Sequence, residues 1–121
     1  MAESKKNAAN NHKINYIEFA STNIEQIKQF YAKVFGWSFQ DWGPEYSSFS
    51  SASAGLDGGF HAGDVQPGGP LVVLYAIDLA ATEQAIVAAG GRITVSTFEF
   101  PGGRRFHFAD PSGNVLAVWS E

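Results

Sequence analysis

The stretch INYIEFASTNIEQIKQFYAKVFGW, residues 14–37, changes periodicity partway along. Over residues 14–20 the side chains alternate: Ile17 and Phe19 point one way, Tyr16 and Glu18 the other, as in a half-buried strand. From Ile24 the period lengthens to that of a helix, placing Ile24, Ile27, Phe30, Tyr31, Val34 and Phe35 on one face. Asn23 offers an N-cap with Gln26 three residues on, and Gly36 supplies the stop. Short aromatic strands follow at 37–42, 46–50 and 56–62, with Gly43-Pro44 and the Ser/Ala/Gly stretch 51–55 as turns.

The order then repeats. Residues 63–70 (GDVQPGGP) read as a linker, and residues 71–77 as an apolar strand. Asp78 can cap a second helix that runs through Ala89 and stops at Gly90-Gly91. Strands at 92–98, 104–109 and 115–119 complete the second half, the last two joined by Asp110-Pro111-Ser112-Gly113-Asn114. A shift of 55 residues lays Asn23 on Asp78 and Gly36 on Gly91, so the repeat lies in order and spacing rather than in residue identity. The spacing predicts an α+β domain over residues 14–121, built from two βαβββ units at 14–62 and 71–119. Residues 1–13, with Lys5, Lys6, Lys13 and three asparagines, read as a flexible polar arm.

Composition narrows the chemistry. With 121 residues the chain is long enough for one domain that buries roughly two-thirds of its unfolded surface. It has no cysteine, so disulfides, thiolate metal sites and cysteine nucleophiles are excluded. Past residue 13 there are five Lys/Arg against eleven Asp/Glu, a net charge of −6 that repels a phosphate backbone; nucleic acid is not an expected partner. No apolar run approaches the ~20 residues of a bilayer span and no signal peptide is read, so the expectation is a cytoplasmic protein without membrane contact. Aromatic residues make up 14% of the chain, enough to build a core and still line a pocket. The serines at 47–53 contain no Gly-x-Ser-x-Gly elbow, and the glycines of the linker and of Pro101-Gly102-Gly103 lack the context of a phosphate loop.

Three segments carry a family resemblance: Asn23…Phe30-Tyr31…Phe35-Gly36-Trp37, Ala88-Ala89-Gly90-Gly91, and Phe108-Ala109-Asp110-Pro111-Ser112-Gly113-Asn114. In order and spacing, over residues 14–119, they resemble the vicinal oxygen chelate superfamily of glyoxalases, bleomycin-resistance proteins and extradiol dioxygenases. The resemblance implies curled mixed sheets around a concave pocket, and two units that pair across a homodimer interface. It also implies metal-ligand positions on the first and last strands of each unit. Carried onto this chain, these are Tyr16, Leu71, Ala117, and a fourth near His61 or Ala62. Leu71 and Ala117 cannot donate, and a neutral phenol is a poor ligand, so no metal and no cofactor are expected.

The candidate site residues follow from this frame. Glu18 shares the expected pocket face with Tyr16 and is read as lying on an interior strand. There a desolvated carboxylate is either a general base, an anchor for a cation, or the partner of Arg104, Arg105 or a backbone donor. His61, after Gly58-Gly59-Phe60, is a second acid/base candidate or an exposed strand-end residue. Arg105 and His107 share a face of their strand, opposite Phe106 and Phe108, and can bind a carboxylate or oxyanion. Tyr75, Trp119, Ala117 and Phe60 are expected to wall the pocket, while the core share of Trp37, Phe39, Trp42, Tyr46 and Phe49 is left open. The expected function is metal-independent binding of a neutral or cationic, aromatic small molecule in an acidic pocket. The alternative is a glyoxalase-like lyase or isomerase with Glu18 or His61 as base.

Overall fold

The computed structural model describes residues 8–121. After an exposed turn of 3-10 helix at Ala8–Asn10, the first unit runs β1 (Ile17–Ser21), α1 (Ile24–Phe35), β2 (Phe39–Asp41), β3 (Tyr46–Phe49), a four-residue helix α2 (Ser51–Ala54) and β4 (Gly58–Ala62). The second unit runs β5 (Val72–Tyr75), α3 (Leu79–Ala88), β6 (Arg92–Phe100), β7 (Gly103–Ala109) and β8 (Val115–Ser120). The two long helices, α1 and α3, start as their caps dictate: Asn23 Oδ1 accepts from the Gln26 N–H and Asp78 Oδ1 from the Ala81 N–H, each at 3.0 Å. Gly36, at φ +75°, takes the left-handed turn that ends α1. Several strands are shorter than alternation alone predicts; β1 begins at Ile17, not Ile14, because Ile14 has nothing to pack on and is 84% exposed.

Each unit forms its own four-stranded mixed sheet, in the orders β1-β4-β3-β2 and β5-β8-β7-β6. The outer pairs β1·β4 and β5·β8 are parallel and the rest antiparallel. The register repeats as well: Ile17 pairs with Gly58 as Val72 pairs with Leu116. Each sheet is curled, covered by helix on one face and open on the other.

One core serves both units. Ile27, Phe30 and Tyr31 of α1 are buried among Phe49 and Phe60 of the first sheet and Phe106, Phe108, Leu116 and Val118 of the second. Tyr31 stacks on Trp37 at 4.6 Å between ring centroids, and Phe30 reaches Phe108 at 6.2 Å. Each of the fully buried phenylalanines contributes about 1.5–3 kcal/mol relative to exposure.

The Asp110–Asn114 turn fastens the units together. Asp110 Oδ1 accepts the backbone N–H groups of Ser112, Gly113 and Asn114 at 2.9–3.0 Å. Its Oδ2 accepts the buried Tyr31 hydroxyl at 2.9 Å and Asn114 Nδ2 at 3.0 Å. Asn114 Nδ2 also donates to the Ala20 carbonyl of β1 at 2.8 Å, and the Ser112 and Ser21 hydroxyls meet at 2.9 Å. The turn is therefore a structural staple, and its carboxylate is already occupied. No helix of the described residues is long and apolar enough to cross a membrane.

Candidate functional site

The strand registers decide which side chains share a face. On the first sheet Ile17, Phe19, Phe49 and Phe60 face the helix, while Tyr16, Glu18, Tyr46, Gly59 and His61 belong to the open face. Phe60 is thus a correction to the expected pocket wall. It is fully buried and packs on Phe19, Tyr31, Phe39 and Phe49, because its neighbour His61 takes the open side of β4. Glu18 is a second correction: β1 edges the sheet, and the Glu18 side chain is 49% exposed rather than desolvated. Its partners are not Arg104 or Arg105, which lie on the second sheet, but His61 and Tyr46.

The repeated register also moves the fourth family position. Ala117 follows Leu116 in the second unit as Gly59 follows Gly58 in the first, so Ala117 corresponds to Gly59, and His61 to Trp119. The four positions are then Tyr16, Gly59, Leu71 and Ala117. A Cβ on Gly59 would come within 2.5 Å of the Tyr46 hydroxyl, so the bare glycine makes the space into which the Tyr46 ring leans.

A polar network fills that space. The Tyr46 and Tyr16 hydroxyls meet at 2.5 Å, the Glu18 carboxylate adjoins Tyr46, and His61 Nδ1 lies 3.5 Å from Glu18 Oε1. Burial, then hydrogen bonds to Tyr16 and Glu18, holds the Tyr46 phenol well above its usual range, so it keeps its proton and acts as a donor. Beside the network, Trp42 is 60% exposed and donates from Nε1 to Ser48 Oγ at 2.9 Å. Trp42 and Tyr16 line a hollow of about 590 Å³, and Glu18 and His61 line a groove of about 900 Å³ that runs beneath residues 64–70. Among the described residues no three His, Asp or Glu side chains cluster closely enough to hold a metal ion. Glu18 and His61 supply two donors, short of the three a catalytic site requires, so the residues of this chain do not fit the metal of the resemblance.

The remaining expected residues sit together on the open face of the second sheet. Tyr75, Trp119, Arg105 and Phe98 form one row across its four strands, and Val73, Ala117, His107 and Val95 the next. Phe106 and Phe108 face the core, as alternation predicts. Burial first, then the Arg105 charge, lowers the affinity of His107 for a proton. The expected site residues therefore fall in two groups, an acidic, phenolic one on the first sheet and a basic, aromatic one on the second. Tyr46 and Gly59 are the members that sequence reasoning missed as a pair. The glycine was legible as a place of close approach, but its occupant depends on how β3 pairs with β4.

A family model described as Glyoxalase/Bleomycin resistance protein/Dioxygenase superfamily matches residues 13–118. No curated protein sequence matches the chain. Among solved structures, a glyoxalase/bleomycin resistance protein/dioxygenase family enzyme from Burkholderia phytofirmans PsJN is similar at TM-score 0.75 and 16% identity, covering 88% of this chain and 96% of that one. A glyoxalase-related enzyme from Fulvimarina pelagi is similar at TM-score 0.76 and 20% identity, over 91% and 88% of the two chains. The fosfomycin resistance protein FosX from Mesorhizobium loti is similar at TM-score 0.72 and 10% identity, over 91% and 92%. At these identities the structures show a shared fold, and the family model covers the two repeated units that build it. The chain belongs to the glyoxalase/bleomycin resistance protein/dioxygenase superfamily.

Proposed function

We propose that this chain is a small-molecule-binding member of its superfamily that works without a catalytic metal and takes a neutral or cationic aromatic ligand on the first sheet. The observation that carries the reading is the exchange at Gly59, where a position corresponding to a ligand slot has no side chain and the Tyr46 phenol occupies the space. Glu18 supplies a carboxylate for a cation, and Tyr16 and Trp42 offer exposed aromatic surface for a flat ligand. The test is titration with a planar aromatic amine and with its neutral and carboxylate analogues, followed by NMR. The amine and the neutral analogue should shift resonances of Glu18, Tyr46 and His61, and Glu18→Gln should weaken the amine about tenfold, or 1.4 kcal/mol. Preference for the carboxylate analogue at these residues would refute the ligand class. Stoichiometric uptake of Zn²⁺, Ni²⁺ or Fe²⁺ at Glu18 and His61 would refute the metal-free reading.

A second reading rests on the Glu18 carboxylate standing between a protonated phenol and an imidazole. In it Glu18 or His61 takes a proton from carbon and Tyr46 donates a hydrogen bond to the oxyanion that develops, as in a lyase or isomerase. Glu18→Gln separates the two readings: turnover abolished with affinity intact favours the enzyme. We propose further that the chain is a homodimer. The support is the exposed apolar surface of the open second sheet, including Val73, Tyr75, Val95, Phe98 and Val115.

A further inference from the structure

On the helix side of the sheets, the core has a gap at the seam between the two units. β1 and β5 are both edge strands, and among the described residues no strand pairs with the free edge of either. Ile17 and Phe19 of β1 and Val72 and Leu74 of β5 pack against the core, yet all four are only partly buried. Phe35 at the end of α1 and Ala54 of α2 share that condition. These residues line one cavity of about 530 Å³, with the buried Trp37 and Phe49 at its deep end. Protein interiors pack as densely as organic crystals and rarely keep voids larger than a water molecule, so a space of this size is more than a packing defect. It has the size of a small-molecule site.

The lining says what fills it. Among the described residues no charged side chain lines the cavity, and both of its polar side chains are already engaged. The Ser53 hydroxyl accepts the Ser38 N–H at 3.1 Å and donates to the Ser50 carbonyl at 3.5 Å, while the Tyr75 hydroxyl donates to Glu121. A charged molecule would shed its hydration here with nothing to replace it. A hollow with apolar walls holds water poorly and takes apolar molecules instead. Aromatic rings on β1, α1 and β3 (Phe19, Phe35 and Phe49) suit the body of a small ring compound.

We infer that this seam is a binding site for a neutral, apolar ring compound, which completes the core where no helix covers the two edge strands. The site uses the helix-facing side of β1, whereas Glu18 and the phenols stand on the open side, so it holds whether or not the ligand proposed there is correct. Only its rim, at Val73 and Tyr75, adjoins the surface proposed for the dimer.

The probe is toluene, compared with benzylammonium, titrated into the full chain and followed by methyl and amide NMR. Toluene should shift the methyl resonances of Ile17, Leu56, Val72 and Leu74, leave the amides of Tyr46 and His61 in place, and bind about tenfold more tightly than benzylammonium. Ala54→Leu, which puts extra methyl groups into the space, should abolish these shifts with a urea midpoint that is unchanged or higher. The two sites fail separately, because a planar amine that does not bind at Glu18 leaves the toluene shifts as they are. Equal or tighter binding of benzylammonium, shifts confined to Tyr46 and His61, or no shifts in toluene-saturated solution would each overturn the inference. A lower urea midpoint for Ala54→Leu would also overturn it, since the space would then be filled already. The comparison of toluene with benzylammonium is made on the unaltered protein, so it decides the matter even if the variant fails to fold.

Discussion

A methyl group at position 59 would meet the Tyr46 hydroxyl at 2.5 Å and the Ser47 carbonyl oxygen at 2.9 Å. Gly59→Ala should therefore displace the Tyr46 ring, break its hydrogen bond to Tyr16 and lower stability by about 1–3 kcal/mol, measured by urea denaturation. Adding Tyr46→Ser should recover part of that loss, because it removes the ring that the methyl displaces. Tyr31→Phe deletes a buried hydrogen bond to a carboxylate and should cost about 1.5–3 kcal/mol without altering ligand affinity on the first sheet. Asp110 has a testable pH signature. Burial raises its pKa, against the hydrogen bonds from Tyr31, Asn114 and Ser112 that lower it. It holds its proton more tightly folded than unfolded, so its contribution is fully present below the ordinary aspartate range and is lost as pH rises through the raised value. The stability difference between the wild type and Asp110→Asn should accordingly shift in favour of Asn as the pH increases. A shift the other way would mean that the hydrogen bonds outweigh burial.

The helices and turns are the elements the sequence states most plainly, because their signals are local. Asn23 and Asp78 each cap a helix through a contact three residues away, and no tertiary information is needed to read it. Asn23→Ala should lower stability by about 1 kcal/mol, seen as a lower urea midpoint with an unchanged slope. Strand ends were less legible: Ile14 alternates correctly with its neighbours but has no partner strand to complete the pattern. Alternation also separates Phe60 from His61 on β4, yet it cannot say which of them faces helix. That choice was made by the core, which takes the larger apolar ring and leaves the imidazole outside.

At the scale of the whole molecule, the two open sheets differ in character. One presents Glu18 with two phenols, the other Arg105 with a neutral histidine and several rings. If the proposed homodimer forms, sedimentation equilibrium at micromolar concentration should give twice the 13.0 kDa chain mass. A charge on the apolar surface, such as Val73→Glu, should then shift the equilibrium toward monomer. A wild-type monomer under these conditions would overturn the dimer but leave the ligand site on the first sheet open to test.

The sequence by itself determined the α+β repeat, the limits of the two long helices and the family resemblance. Each of these depends on residue identity and on spacings of a few residues, where the backbone geometry is fixed in advance. Only the tertiary structure decided that Tyr46 stands over Gly59, that Glu18 is an edge-strand carboxylate in water, and that Arg105 and His107 belong to a different face. Those facts depend on which strand pairs with which, and in what register. A slip of one residue would exchange the two faces of a sheet, and side chains distant in sequence meet only after that choice is made.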